Sequence, residues 1–513
     1  MKHPIYQEST ESDSEEEVPL PPKEITIKDI KITSFSISPD FNEQIYEVLN
    51  FEPDSLGVWC AKIQHYKTDR LALRASFDVV AAKVTVKDVI QVSDSTVNDF
   101  SEPVIYRLYA GDGQYRDYKI ELNTTSTTGL PIVALFTDDG KAVESRDEWL
   151  SGRMVIDPQD SNHDFFDGRI EIKGRGNNSW KSDKKPYAIK LSEKSKIMGM
   201  KKHKRWVLLA NSSDRTLMRN RVAFEIGRRT GLAWTPDNRY VEVILNGKYL
   251  GNYLMCEQIR VDKNRVNIVE MSTADNQDDA LTGGYLLEFD RYYDEINKFR
   301  TKYCDLPVNI KEPDEDILTV QQKQYITDYI NNVEELLYGK DQIDPSYAQF
   351  LDIDSFIDWW IVMELTHNRD GRLPGSCYMY KDRGGKLCAG PLWDFDLTTF
   401  IKSTNFLFKD YEITDFTRKD RSLWYKVLFQ DPVFQTRAKV RWQSYKAAFE
   451  DIVNFIDEEA RNLEQSAAVN WSIWTLGKGS NQDEELDWKE AVDRLRANYI
   501  QRLQWMDGQI AKW

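Results

Sequence analysis

The stretch Gly390–Phe400, "GPLWDFDLTTF", carries two aspartates, Asp394 and Asp396, on either side of Phe395. It closes a longer pattern. Upstream, "DIDSFIDWWIVMELTHN" (352–368) reads as an apolar helix. Asp370 follows it, then a short loop, "GRLPGS". A hairpin, "YMYKDRGGKLCAGPLWDFD", turns at Gly384–Gly385. The second strand is expected to end in Asp394. A hairpin sets its strand ends side by side, so Asp370 and Asp394 are expected to converge although they lie far apart in the chain. Taken singly, Asp370-Gly371 is a common turn and Asp394 an acidic residue after an aromatic strand. The order in which they occur favours a site.

Composition narrows the chemistry. The chain has 513 residues and a net charge of −16, with a pI near 5.0. The length suggests two or three domains. The acidic balance argues against nucleic acid as the main partner, because phosphate backbones need concentrated Lys and Arg. The five cysteines are scattered without a CxxC pair, and there are only five histidines and no HExxH, so a zinc centre is not expected. A metal here would be held by carboxylates, which suits Mg²⁺ or Mn²⁺. No apolar run is long enough to span a membrane.

Three regions emerge along the chain. Residues 1–24, beginning "MKHPIYQESTESDSEEEVPLPP", are acidic, Ser-containing and end in prolines. They read as a disordered tether with no apolar signal core. Residues 25–123 alternate apolar and polar positions, as in "ITIKDIKITSFSI" and "AAKVTVKDVIQV", with a Gly-Asp-Gly turn in "YAGDGQY". This predicts an immunoglobulin-like β-sandwich. Residues 124–513 read as a mixed α+β region that becomes mostly helical from about 417. Within it, "KKPYAIKL" and "RWVLLAN" read as short strands, "TLMRNRVAFEIGRRTG" as a helix, and Asn246–Gly247 as a hairpin turn.

The sequence of helix, loop, hairpin and aspartate is similar to that in the C-lobes of protein kinases. Such a site needs one carboxylate near an attacking hydroxyl and another to hold Mg²⁺ on the phosphates. Asp370 would take the first role and Asp394 the second. "YAIKL" resembles the strand that bears the phosphate-binding lysine, which makes Lys190 the candidate. A strand lysine facing solvent is an equally good reading. Glu225 in "RNRVAFEIGRR" is the candidate partner of Lys190, against an ordinary ion pair with Arg229 one turn on. The turn "KGRGNNSW" is a candidate phosphate cover through its backbone N–H groups and Arg175, against a simple tight turn.

Several motifs in order resemble the CotH kinase family: "IEIKGRGNNSW…KKPYAIKL", "RWVLLANSSDRTLMRNRVAFEIGRRTGL", "VEVILNGKYLGNYLMCEQI", "GGYLLEFD" and "AGPLWDFDLTTF". The resemblance runs from about Gly168 to Phe400, and "LWYKVLFQDPVF" and "RLQWMD" fit the family's C-terminal part. It implies a divergent two-lobed kinase-like fold and ATP-dependent transfer to Ser or Thr of a partner protein. By motif it makes Asp370 the catalytic aspartate and Asp394 a metal ligand, with Asp396 a second ligand. Trp393 is then a wall of the nucleotide site or part of the core. The asparagine that binds a second metal in kinases is absent; Ser376 stands in its neighbourhood as a weaker ligand. The β-domain resembles those of exported bacterial lipoproteins. An extracytoplasmic, cell-surface location follows as an expectation, with the signal segment removed and a lipid anchor, absent from this sequence, as the only membrane attachment. Two other readings share the sequence: a non-catalytic surface or coat scaffold that binds a partner or glycan, and transfer of AMP in place of phosphate.

Overall fold

The computed structural model describes residues 24–42, 45, 48–63, 70–124, 128–159, 162–368, 374–402, 413–416, 423–477 and 481–513. The chain divides into two compact units, residues 1–126 and 127–513.

The first unit is all β. Strand Lys31–Ile37 sits between Leu49–Asn50 and Ser76–Val80 in one sheet. A six-stranded sheet is centred on Val104–Tyr109 and Tyr115–Thr124. The two sheets share one apolar core, in which Phe35 meets Tyr106 edge-on with ring centroids 5.0 Å apart. Val104–Tyr109 alternates buried and more exposed positions, as a strand with one face on a core must. The Gly-Asp-Gly turn joins Val104–Tyr109 to Tyr115–Thr124, as expected.

The second unit opens with a closed seven-stranded barrel. In order around it, the strands are Ile132–Thr137, Leu150–Asp157, Phe166–Gly174, Tyr187–Ile197, Met200–Leu209, Lys248–Glu257 and Asn238–Leu245. Ile132–Thr137 closes it by pairing parallel with Asn238–Leu245, with Ile132 opposite Glu242. The interior is filled by side chains such as Leu135, Ile172, Ile189, Trp206 and Val243. The short strands expected at "KKPYAIKL" and "RWVLLAN" are in fact the long hairpin Tyr187–Leu209, whose register slips near Ser195. The underestimate has a local cause: Ser192–Lys196 is exposed along most of its length and carries no alternating apolar signal.

Helix Arg219–Arg228 leaves the barrel and packs into a second core. That core lies between a five-stranded sheet and the C-terminal helices. The sheet runs Lys298–Arg300, Pro307–Glu312, Tyr285–Phe289, Cys377–Lys381, Leu387–Ala389. The helices are Val320–Tyr338, Ile353–Leu365, Pro432–Glu450, Ile452–Ile473 and Trp488–Ile510. Helix Ile353–Leu365 is apolar on nearly all sides and buried along most of its length. The Asp352 side chain caps it by accepting from the Ser355 N–H at 2.8 Å.

This inner helix carries two buried acids, Asp358 and Glu364, each of which needs a partner. Arg441 of Pro432–Glu450 donates to Asp358 (Nε–Oδ1, 2.6 Å). Arg502 of Trp488–Ile510 donates to Glu364 Oε2 (2.7 Å) and to the carbonyls of Glu364, Ile413 and Asp415. These two guanidinium groups tie the C-terminal helices to the centre of the unit. Removing one takes the guanidinium counter-charge from a buried acid, so Arg502→Ala is expected to cost about 3–5 kcal/mol in denaturant unfolding. An unchanged midpoint would show that the contact carries no such weight.

Candidate functional site

The hairpin Cys377–Lys381/Leu387–Ala389 turns at Gly384–Gly385 as the sequence suggests. Its second strand, however, ends at Ala389, five residues before Asp394. Gly390 takes a φ of 110° and Pro391 has no N–H, so the ladder stops there. The segment from Asp394 to Phe400 then runs without strand partners, with positive φ at Asp394, Thr398 and Phe400. Side chains from elsewhere satisfy its backbone. Asn220 Oδ1 accepts from the Phe395 N–H at 2.8 Å. Asn481 donates to the Asp396 carbonyl (2.7 Å) and accepts from the Thr398 N–H (2.6 Å). Arg219 Nε donates to the Thr399 carbonyl at 3.0 Å. Arg219 is itself held by Asp214 and Asp483, all three fully buried. Phe395 is driven into the core against Phe224. Its neighbours Asp394 and Asp396 are therefore turned the other way, into a cavity.

That cavity has a volume of about 340 Å³ and lies between the barrel and the five-stranded sheet. Asp394, Asp396, Ser376 and Trp393 line it. Arg175 and the turn residues Gly176, Asn177, Asn178 and Ser179 line it from the barrel side. The turn is latched across the cavity by Asn178, which donates to the Tyr292 hydroxyl at 2.6 Å. Gly176 has a φ of +80°, and a Cβ there would meet the Ser179 hydroxyl. Trp393 is both wall and packing: its ring faces the Arg175 guanidinium at 5.4 Å and Phe224 at 6.2 Å. Ser376 Oγ donates to Asp394 Oδ2 at 3.4 Å, while its N–H donates to Asp290 Oδ2 at 2.7 Å.

Two of the expected nucleotide-binding residues lie elsewhere. Ile189 and Leu191 fill the barrel, so strand alternation turns Lys190 outward. There it pairs with Glu171 at 2.5 Å on the neighbouring strand, and it is absent from the cavity lining. Glu225 pairs with Arg228 (3.0 Å) and Arg229 (2.9 Å), the local ion pair its spacing allowed. The ammonium in the cavity is that of Lys311, on Pro307–Glu312, which pairs with Glu295 and lies 3.6 Å from Glu288. Asp370 lies outside the described residues. Sequence reasoning also missed Asp290, although "GGYLLEFD" ends on it, and the clamps Asn220 and Asn481, which no motif flags.

The donor set fits a hard divalent cation. Burial, with the neighbouring charge of Asp396, pushes the Asp394 carboxyl up to about 7, against a counter-effect from Arg175. Two oxygen donors that repel one another are what Mg²⁺ or Mn²⁺ would neutralise. No group of three or more His, Cys, Asp or Glu side chains poised to hold a metal occurs among the described residues. A cation at this place would complete its shell with phosphate oxygens and water, as Mg²⁺ commonly does.

The raised Asp394 value has a thermodynamic consequence. Between about pH 4 and pH 7 the folded, metal-free protein keeps a proton that the unfolded chain gives up. Its stability therefore falls as pH rises through that window. Asp394→Asn is expected to raise the metal-free unfolding free energy at pH 8 by about 1–2 kcal/mol, and the Tm with it, once solvent reaching Asp394 screens the full shift. The gain should shrink toward pH 5. Calorimetry at the two pH values checks this, and a gain independent of pH would contradict it.

The family model described as CotH kinase protein matches residues 171–506, well over half of the chain. The match extends past the aspartate segment through the helical C-terminal part. No curated protein matches the chain. Four of the seven barrel strands, the glycine turn, the aspartate segment and the terminal helices fall largely inside the matched span, whereas Ile132–Thr137 and Leu150–Asp157 precede it. The chain belongs to the CotH kinase protein family.

Proposed function

We propose that this protein is an atypical protein kinase that transfers the γ-phosphate of ATP to Ser or Thr of an acceptor protein, with Mg²⁺ or Mn²⁺ bound by Asp394 and Asp396. The observation that carries the reading is the pair of aspartates turned into a cavity beneath the glycine turn, facing Arg175. Asp394 and Asp396 would hold the cation, which when bound would screen the negative charge of the transferred group. Arg175 and Lys311 would place positive charge opposite the phosphates. The turn Gly176–Ser179 would exclude water from above and offer backbone N–H groups. Asp370 would accept the proton of the acceptor hydroxyl, the role the family resemblance gives it. The first unit fits an immunoglobulin-like sandwich that acts as a spacer or binding module. With the acidic tether it favours an acceptor outside the cytoplasm.

Transfer of the labelled γ-phosphate from ATP to the protein itself or to a Ser/Thr-rich substrate tests the reading. Asp394→Ala and Arg175→Ala are expected to lower labelling by about a hundredfold or more. Lys190→Ala, remote from the cavity, should stay within about twofold of the parent. Labelling that survived Asp394→Ala, or that vanished with Lys190→Ala, would overturn the assignment. Product mass distinguishes a phosphoryl group from AMP.

A further inference from the structure

A second cavity, of about 400 Å³, lies on the barrel side of the glycine turn. It shares Arg175, Gly176, Asn177 and Asp294 with the aspartate cavity. Its charge is opposite to that of the chain. Arg146, Lys173, Arg175, Arg205 and Arg260 line it, against only two acids, Asp147 and Asp294. The protein as a whole carries −16. Lys173 and Arg205 stand over the face of one ring, Trp149, at 4.9 and 5.1 Å.

Lys173 and Arg205 are not consumed by structure: neither has an ion pair among the described residues. Arg260 donates one hydrogen bond to Glu312 (Nη1–Oε1, 3.3 Å) and lies 3.7 Å from Asp314. Arg260 Nε and Gln258 Oε1 are buried without a hydrogen-bond partner among the described residues. Lys173 and Arg205 both have pKa values held down, chiefly by burial and then by neighbouring positive charge, opposed in part by Asp147 and Glu171. Half-buried cations crowded around one space are costly unless an anion joins them. Arg146 differs from them in bracing the turn, because it donates to the Gly176 carbonyl (2.8 Å) and Asn177 Oδ1 (2.7 Å).

We propose that this pocket is a phosphate-binding site distinct from the Asp394–Asp396 cavity, with Lys173, Arg205 and Arg260 as the anion ligands. Guanidinium groups bind phosphate oxygens through paired N–H donors, and an ammonium adds a compact charge. Two sources offer that chemistry: a phosphorylated residue of a protein, or free inorganic phosphate; the nucleotide's own phosphates belong to the aspartate cavity. The site goes beyond the proposed kinase reading and does not depend on it, since it needs neither metal nor turnover.

The test is calorimetric titration of the full chain with inorganic tripolyphosphate in EDTA at low salt, where the aspartate cavity has no cation to offer. Binding is expected. It should weaken about tenfold or more in the double variant Lys173→Gln, Arg205→Gln and in the single variant Arg260→Gln. It should persist in Asp394→Asn. Should the double variant fail to fold, as judged by its melting curve, Arg260→Gln carries the test. Absence of tripolyphosphate binding to the parent, or binding that these substitutions leave unchanged, overturns the proposal. Titration with a phosphoserine peptide and with inorganic phosphate then identifies the source, as the ligand whose affinity the same variants reduce. If they reduce neither, the site binds no biological phosphate and the proposal fails.

Discussion

The structure of the candidate site depends on backbone groups held by side chains. From Asp394 to Phe400 the chain follows no strand or helix, and three residues without the freedom of glycine adopt positive φ. Such a path is unfavourable by itself. It persists because Asn220, Asn481 and Arg219 supply the partners a ladder would have supplied. Those three side chains come from the helix that leaves the barrel and from the segment before the last helix. The aspartate segment is thus fastened to two distant parts of the second unit, and the buried Asp214–Arg219–Asp483 cluster fastens those parts to each other.

One consequence is directional. Phe395 enters the core, and chain geometry then sends the flanking carboxylates into the cavity. Another is electrostatic. The acids gather on one side of the glycine turn and the bases on the other, with Arg175 lining both cavities. In a strongly acidic chain, such a local concentration of positive charge acts on whatever anion approaches.

Part of this was legible in the sequence because it is local. The Asn246–Gly247 turn, the Gly384–Gly385 hairpin and the apolar helix Ile353–Leu365 all announce themselves within a few residues. The motif order was enough to bring Asp394, Asp396, Ser376, Arg175 and Trp393 to one cavity. What failed was non-local. Barrel closure joins residues more than a hundred positions apart, Ile132 and Glu242, in a parallel pair that no turn signals. Lys190 matched a motif, but the facing of its strand is decided by which neighbours fill the barrel. Lys311 enters from a strand, and Asp290 from the residue just past one, whose sequences carry no phosphate signature. Asn220 and Asn481 look like ordinary polar residues until the backbone they cap is seen.

In the proposed kinase, Asp394 and Asp396 share one divalent cation at the phosphate end of a bound nucleotide. This sharing is tested most directly by a crystal structure with Mn²⁺ and a non-hydrolysable ATP analogue, with the metal located by its anomalous scattering. One Mn²⁺ is expected about 2 Å from a carboxylate oxygen of each aspartate, and also bound to phosphate oxygens beneath Gly176–Ser179. A nucleotide bound away from this cavity, or a metal that ignores both aspartates, would contradict that arrangement.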